Sequence, residues 1–388
     1  MARTAIHIYL SHFENESRIL KETKSLISHQ IVDKVIVLAL GKEGLAEEEL
    51  IDAGRVVYRV RPRLFRNKTI GFGLSKLFMV IKLVDMLFKY LSVIRKEKPM
   101  FINLHQVMVL PLIPFIKLIS PQSILVYDAH ELETETNGLK GTRKRIFRFF
   151  ERLWVKKFKL VIVVGAAIED WYRNEYGIEN IITVMNCPIY QKVSKHNLFR
   201  QEFGISADST IFLYQGALFK GRGIEIMLEA FASMDDDRYV LMIMGYGRME
   251  DVIKEYAIKF SNIYFKKAVE PSVVLNYTSS ADVGISIIEN VCLSYYYCLP
   301  NKIFEYLMAE IPCIVSNMKE MSEYVTHYGT GVIAHDTSKE ALIAAVRSID
   351  QFDMYQFKQN IEMVKNQFCW QTQEKIMIEA YKKLIGLR

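Results

Sequence analysis

The chain is organised around short apolar runs that recur at helix-length intervals. VIVLAL (35–40), SILVYDA (123–129), LVIVV (160–164), TIFLYQG (210–216), YVLMIMG (239–245), DVGISII (282–288) and PCIVS (312–316) each read as a strand buried on both faces. Between them lie segments such as SRILKETKSLISH (17–29) and GIEIMLEAFASM (223–234), with apolar residues three and four apart. Neighbouring parallel strands must be joined by a crossover, usually a helix, so this alternation predicts parallel sheets covered on both faces. The alternation runs twice. A first pass ends near MNCPIY (185–190), the polar stretch QKVSKHN follows as a linker, and a second pass begins at TIFLYQG. With 388 residues, the chain also exceeds the ~250–300 at which a single core stops growing. The prediction is an α/β protein of two Rossmann-like, doubly wound domains facing across a cleft, residues 1–190 and 191–367. Ligands of such sheets sit outside the carboxyl ends of the strands, so the chemistry is sought just after strands.

Charge and cysteine usage narrow the class. The net charge of +6 is unevenly placed: residues 1–190 carry +9 and the remainder −3, which suggests different partners for the two halves. The five cysteines (187, 292, 298, 313 and 369) form no Cys-x-x-Cys or Cys/His metal spacing. That pattern suits a reducing compartment and argues against a zinc site. The opening MARTAIHIYLSHFE has too short an apolar run for a signal peptide and reads as a first strand. IGFGLSKLFMVIKLVDMLFKYL (70–91) is interrupted by Lys76, Lys82, Asp85 and Lys89, so no membrane-spanning helix is predicted. The expected location is cytoplasmic.

Two stretches after strands of the second pass carry chemistry. LYQGALFKGRGIEIMLEAF (213–231) is a strand, a loop and a helix. Gly216, Gly221 and Gly223 let backbone N–H groups approach a ligand, and the following helix directs its positive end at whatever precedes it. Lys220 and Arg222 add full charges, and a guanidinium grips phosphate bidentately. No Gly-Lys-Ser/Thr follows, which argues against an NTPase. A plain glycine turn with two solvated cations is the alternative reading. MGYG (244–247) lacks the third glycine of a dinucleotide fingerprint and reads as strand-end punctuation. The second stretch is YYYCLPNKIFEYLMAEIPCIVSN (295–317). Pro300 fits a first helical position, Asn301 and Lys302 fall in the first turn, and Glu305 lies on the same face as Lys302. A cation for a phosphate and a carboxylate for a ribose diol explain this pair better than a surface ion pair, because its neighbours are apolar.

Taken together, GALFKGRG, ADVGISII and LPNKIFEYLMAEIPCIVSN resemble the retaining family-4-type glycosyltransferases of the GT-B fold, in particular a subgroup of bacterial surface-polysaccharide assembly. VYDAHEL (126–132) resembles that family's Asp-x-His-Glu segment, and VMNCP (184–188) its interdomain turn. FCWQTQEKIMIEAYKKLIG (368–386) is similar to its last helix, which crosses back onto the first domain. The resemblance implies that the second domain binds a nucleotide-diphosphate sugar and the first an acceptor. It places Arg222 on the diphosphate, Glu305 on the ribose, His130 beside the reacting sugar, and Lys266 to Val269 against the base. Tyr297 stands where the family has a glutamate near the donor sugar, and Ala217 where it often has an arginine. For the latter, Lys220 or Lys302 can supply the charge. The first strand is followed by LSHFENESR, without the family's usual glycines.

The implied reaction is glycosyl transfer with retention, in which a nucleoside diphosphate leaves with added negative charge. Arg222, Lys302 and the start of the 223–234 helix suit that charge without a metal. No acidic pair of metal-dependent type is found, and no cofactor is predicted. Either Glu131 or Glu133 could lie near the acceptor hydroxyl. TRKRIFRFFERLWVKKFK (142–159) holds eight cations and one acid, with Ile146, Phe149, Phe150 and Leu153 on one stripe. It reads as a basic amphipathic helix for docking beside a lipid-linked acceptor on the inner face of the cytoplasmic membrane, or as a core-packed helix with a solvated cationic face. RVRPRLFRNK (59–68) adds cations, and no nucleic-acid module is found. Two alternatives stay open: a nucleotide-sugar epimerase of the same architecture, and a non-catalytic nucleotide-binding scaffold at a membrane. An NAD-linked oxidoreductase is disfavoured, since no GxGxxG follows the first strand. The donor sugar, base, acceptor, linkage and oligomeric state are not legible.

Overall fold

A computed structural model describes residues 2–61, 75–234 and 236–386, with the backbone alone for 75–84. Of the cationic segment 59–68, residues 62–68 lie outside the described residues. The chain forms two compact units, Met1–Val184 with Glu374–Arg388, and Met185–Gln373. The division falls before Met185 because residues 185–190 are tied to the second unit. The Met185 and Tyr190 amides donate to Gln373 and Gln371 at 2.8 Å, and the Trp370 amide donates to the Pro188 carbonyl at 2.8 Å.

Among the described residues the first unit holds eight strands: β1 (Thr4–Ile8), β2 (Lys34–Leu40), β3 (Glu48–Asp52), β4 (Arg55–Val60), β5 (Phe101–Leu104), β6 (Ile124–Ala129), β7 (Leu160–Val163) and β8 (Ile181–Thr183). Their order is β3-β4-β2-β1-β5-β6-β7-β8, parallel except for the edge strand β3. The order reverses between β1 and β5, the position at which doubly wound sheets bind ligands. The C-terminal helix Trp370–Leu384 carries its last part into this unit, where the Tyr381 ring meets Phe101 edge-on at 5.1 Å.

The second unit is a parallel sheet of β9 (Thr210–Ala217), β10 (Tyr239–Tyr246), β11 (Ile263–Lys267), β12 (Val283–Ser286), β13 (Cys313–Ser316) and β14 (Gly331–Ala334). The order is β11-β10-β9-β12-β13-β14, with its reversal between β9 and β12. Strand alternation shows in the packing. Ile211, Leu213, Met242 and Met244 join one buried cluster with Ile303, Phe304 and Leu307 of the helix Asn301–Met308. Phe212, Tyr214, Leu241 and Ile243 join another with Ile224, Met227 and Phe231 of the helix Ile224–Met234. Two helices on opposite faces thus bring their ends to one rim of the sheet.

The helix Gly141–Trp154 of the first unit turns its apolar stripe outward. Ile146, Phe149 and Leu153 are 48%, 61% and 47% exposed. The inward position is Glu151, fully buried, which accepts hydrogen bonds from Tyr127 (2.9 Å), Tyr172 (2.6 Å) and Tyr176 (2.7 Å). A buried carboxylate with three phenol donors anchors the helix, so its apolar stripe is not needed for the core. Among the described residues no helix is long and apolar enough to cross a membrane.

Candidate active site

In the second unit the loop 218–223 leaves β9 at the sheet reversal and enters the helix Ile224–Met234. Gly223 has φ +67°, and a Cβ there would stand 2.5 Å from the Ile287 side chain and 2.9 Å from its carbonyl. Only glycine fits, since both the left-handed backbone and the space exclude a side chain. The end of β10 presses on the same loop. A Cβ at Gly245 would meet the Gly216 carbonyl at 2.0 Å, so the MGYG glycines shape the loop from the neighbouring strand.

Lys302, in the first turn of the helix Asn301–Met308, is 9% exposed. Its ammonium lies over the Tyr214 ring, 3.5 Å from the centroid, and close to Gly216. Burial pushes the lysine well below its ordinary range, Arg222 adds like-charge repulsion, and Glu305 opposes both. Arg222 itself stacks over Tyr295 at 4.7 Å. The nearby Cys298 thiol is pushed up to about 12 by burial, so it supplies no anion. Two cations therefore meet at the rim where a helix starts, and Lys302 has no acid within ion-pair distance among the described residues. That arrangement attracts a polyanion.

Glu305 is half-buried, and its Oε2 accepts a short hydrogen bond from Gln215 Nε2. Gln215 is held in turn by Thr278, whose hydroxyl lies 2.8 Å from Gln215 Oε1. The carboxylate is thus oriented by a buried amide that sequence reasoning missed; its signal was a glutamine in the otherwise apolar strand TIFLYQG. The neighbouring Tyr306 hydroxyl reaches the carbonyls of Leu213 at 2.9 Å and Ile285 at 3.0 Å, pinning the helix across β9 and β12. Pro300 is the N-cap, in extended backbone, one position earlier than expected, and the exposed Asn301 opens the helix. Lys220 is exposed at the loop tip, Tyr297 packs on Tyr296 at 5.3 Å, and Val269 packs against the core beyond β11. The Lys266 side chain pairs with Glu202 at 2.6 Å and lies over the Tyr277 ring at 4.5 Å.

In the first unit His130 follows β6 and belongs to a buried polar cluster. Its Nε2 lies 3.0 Å from Asp128 Oδ2, and His105 Nδ1 lies 2.9 Å from the same oxygen. Arg18 clasps Asp128 with Nε at 3.1 Å and Nη2 at 2.7 Å. Burial would push the Asp128 carboxyl up, but Arg18 and the two histidines overcome it and hold it well below the usual carboxylate range. His105 is pulled down to about 4 by burial, against the opposing pull of Asp128. His105, Asp128 and His130 lie close enough together to ligate a metal, and the Arg18 guanidinium shares the carboxylate. Glu131 is exposed, whereas Glu133 turns in to accept the Val107 amide at 3.2 Å, and burial raises its carboxyl well above the ordinary value. Sequence reasoning named His130 but not Asp128, Arg18 or His105, which the structure brings around it. The spacing of two between Asp128 and His130, which puts both on one side of a strand end, was the available signal.

Residues 195–356 match the family model described as glycosyl transferases group 1. No curated protein matches the chain. Among solved structures, sucrose-phosphate synthase from Thermosynechococcus elongatus is similar with a TM-score of 0.78 at 15% identity, over 99% of each chain. Anabaena HepE in complex with UDP and glucose gives 0.71 at 14%, over 99% of this chain and 100% of that one. WaaG, a glycosyltransferase involved in lipopolysaccharide biosynthesis, gives 0.69 at 14%, over 99% and 100%. These likenesses establish the fold as GT-B, an α/β architecture of two parallel-sheet domains. The family match lies within the second unit and includes the glycine loop, Lys302 and Glu305.

Proposed function

We propose that the chain is a metal-independent glycosyltransferase that moves a hexosyl or N-acetylhexosaminyl group from a nucleotide-diphosphate sugar, with retention, to a glycan or lipid-linked glycan. Cell-surface polysaccharide synthesis is the proposed setting. One observation carries the reading: a buried lysine with no acid in ion-pair distance among the described residues and a loop arginine, one helical turn from an oriented carboxylate, inside the segment that matches group 1 glycosyl transferases. The cations and the start of the Ile224–Met234 helix receive the diphosphate and stabilise its growing charge as the glycosidic bond breaks. Glu305 holds the ribose diol, and His130 acts on the sugar or its acceptor. The nucleoside is uridine, in keeping with the UDP bound to HepE.

A thermal-shift panel of UDP, GDP, ADP, CMP and NAD tests this. UDP at 100 times its dissociation constant should add about 2.7 kcal/mol to stability. No shift with any nucleoside diphosphate overturns the reading. Lys302 adds a second test. Its charge is disfavoured in the free protein and restored by a bound diphosphate. Binding therefore takes up a proton over the window between the two lysine pKa values, and affinity weakens as pH rises through it. Calorimetry in buffers of different ionisation enthalpy should show that uptake, and Lys302→Met should abolish it while weakening binding.

The outward apolar stripe of Gly141–Trp154 supports docking to an anionic membrane, and with it a peripheral location on the cytoplasmic face. Arg143, Arg145, Lys156 and Lys157 flank it with no acid partner among the described residues, whereas Lys144 and Arg148 are tied to Glu135, and Arg152 to Glu175. Near an anionic leaflet each free cation contributes about 1 kcal/mol. Sedimentation with phosphatidylglycerol vesicles, abolished in Phe149→Asp/Leu153→Asp, is expected. Equal sedimentation with neutral vesicles, or none, overturns it.

A further inference from the structure

Three atoms of the polar cluster around His130 form a near-equilateral triangle. His105 Nδ1 lies 2.9 Å from Asp128 Oδ2, His130 Nε2 lies 3.0 Å from the same oxygen, and the two ring nitrogens are 3.0 Å apart. Both nitrogens are in hydrogen-bond contact with the other two corners, so both lone-pair axes point into the triangle. Protons satisfy only two of its three sides. When both imidazoles donate to the carboxylate, their N–H groups oppose each other across the third side. When one of these nitrogens is bare, its lone pair opposes that of the carboxylate oxygen. A cation that replaces both protons satisfies all three sides at once.

The side length selects a geometry. Adjacent ligands of an octahedral ion with bonds of about 2.1 Å stand about 3.0 Å apart, whereas a tetrahedral ion with such bonds needs about 3.4 Å. Two histidines and one carboxylate therefore match one face of an octahedron. His130 is 19% exposed and opens that face to solvent, while His105 and Asp128 are at most 1% exposed. The surroundings supply the outer hydrogen bonds that metal ligands need. Arg18 Nη2 holds Asp128 Oδ1 at 2.7 Å. A His105 ligated through Nδ1 carries its proton on Nε2, 2.8 Å from His7 Nδ1. His7 then donates from Nε2 to Asn103, 3.2 Å away, whose amide turns its oxygen inward while the Tyr381 hydroxyl accepts from it. The Arg18 charge lowers the affinity of this site, and Glu22, 2.9 Å from Arg18 Nε, offsets part of it.

We propose that His105, Asp128 and His130 form a facial site for one divalent late first-row transition ion, and that such an ion inhibits transfer by occupying His130 Nε2. In the free protein Asp128 accepts from His130 Nε2, which leaves Nδ1 bare and without a partner among the described residues. An imidazole ligated through Nε2 carries its proton on Nδ1, so the outward nitrogen changes from acceptor to donor. The site stands on geometry; the inhibition rests on the transferase reading above, in which transfer itself needs no metal.

Titration calorimetry of untagged, chelator-treated full-length protein with Ni²⁺ tests the site. One-to-one binding is expected, weakened at least about tenfold in His130→Gln and about 10–100-fold in His7→Phe, which removes only an outer hydrogen bond. Melting profiles like wild type show that the variants are folded. Co²⁺ should give the weak visible bands of a six-coordinate ion, and Mg²⁺, which prefers oxygen ligands, should not compete. Ni²⁺ should inhibit glycosyl transfer with the midpoint of its binding, and chelation should restore it. No binding up to about 1 mM, equal binding by His130→Gln, or the intense bands of four-coordinate cobalt overturns the site. Binding without inhibition overturns the inhibitory role. If no transfer is detected with or without metal, the transferase reading falls, and calorimetry and the Co²⁺ spectrum still decide the site.

Discussion

Glu305→Ala is expected to lower kcat/KM for the nucleotide-sugar donor by on the order of 10²–10⁴. The figure follows from two charge-assisted hydrogen bonds to the ribose diol, each contributing roughly 1.5–3 kcal/mol. Stability without nucleotide should change little, because the side chain is half-buried. Glu305→Gln should lose less, and Gln215→Ala should fall between, since it leaves the carboxylate present but unheld. Glu305 also opposes the depression of the Lys302 pKa, so residual binding in Glu305→Ala should decline more steeply with rising pH than in wild type. Titration calorimetry with UDP across pH checks all three variants. Affinity within twofold of wild type in Glu305→Ala would mean that the carboxylate does not meet the nucleotide.

The residues brought together by chain-local geometry were the legible ones. Lys302 and Glu305 lie one helical turn apart, and Gly216, Gly221, Gly223 and Arg222 share one loop, so spacing alone brings each set together. The alternation of apolar runs likewise gave the two parallel sheets, because a strand buried on both faces leaves a local mark. What spacing does not carry is a contact closed by the fold. Arg18 meets Asp128 across 110 residues and Tyr381 meets Asn103 across 278. In a linear reading each is a polar residue in an apolar or amphipathic segment, with nothing to pair it. The helix Gly141–Trp154 shows the converse limit. Its period identifies an apolar stripe, but only the three tyrosines around Glu151 reveal that the stripe points away from the core.

The largest effect on stability is expected at Arg18. It is 5% exposed and sits between Asp128 and Glu22, its Nε 2.9 Å from Glu22 Oε1. Its Nη1 also donates to the Val184 carbonyl at 2.7 Å. Arg18→Met keeps much of the volume but leaves two buried carboxyls without the guanidinium they share, and removing one partner of a buried charge set costs about 3–5 kcal/mol. The pH dependence gives the sign. In wild type Asp128 is held below the usual range, so it contributes stability above its unfolded pKa that is lost as pH falls through the folded one. Burial and Asp128 already raise Glu22, whose contribution is present below its unfolded pKa and lost as pH rises through the folded one. Without Arg18, Asp128 joins Glu22 in the raised class. The deficit of the variant should therefore be greatest at neutral and alkaline pH, and shrink on acidification as both carboxyls take up protons. Urea denaturation in a Trp370→Phe background, so that Trp154 and Trp171 of the first unit report alone, should show this between about pH 8 and about pH 5. A deficit that stays constant across that range, or remains under about 1 kcal/mol, would show that Arg18 is not what keeps the Asp128 carboxylate ionised beneath His130.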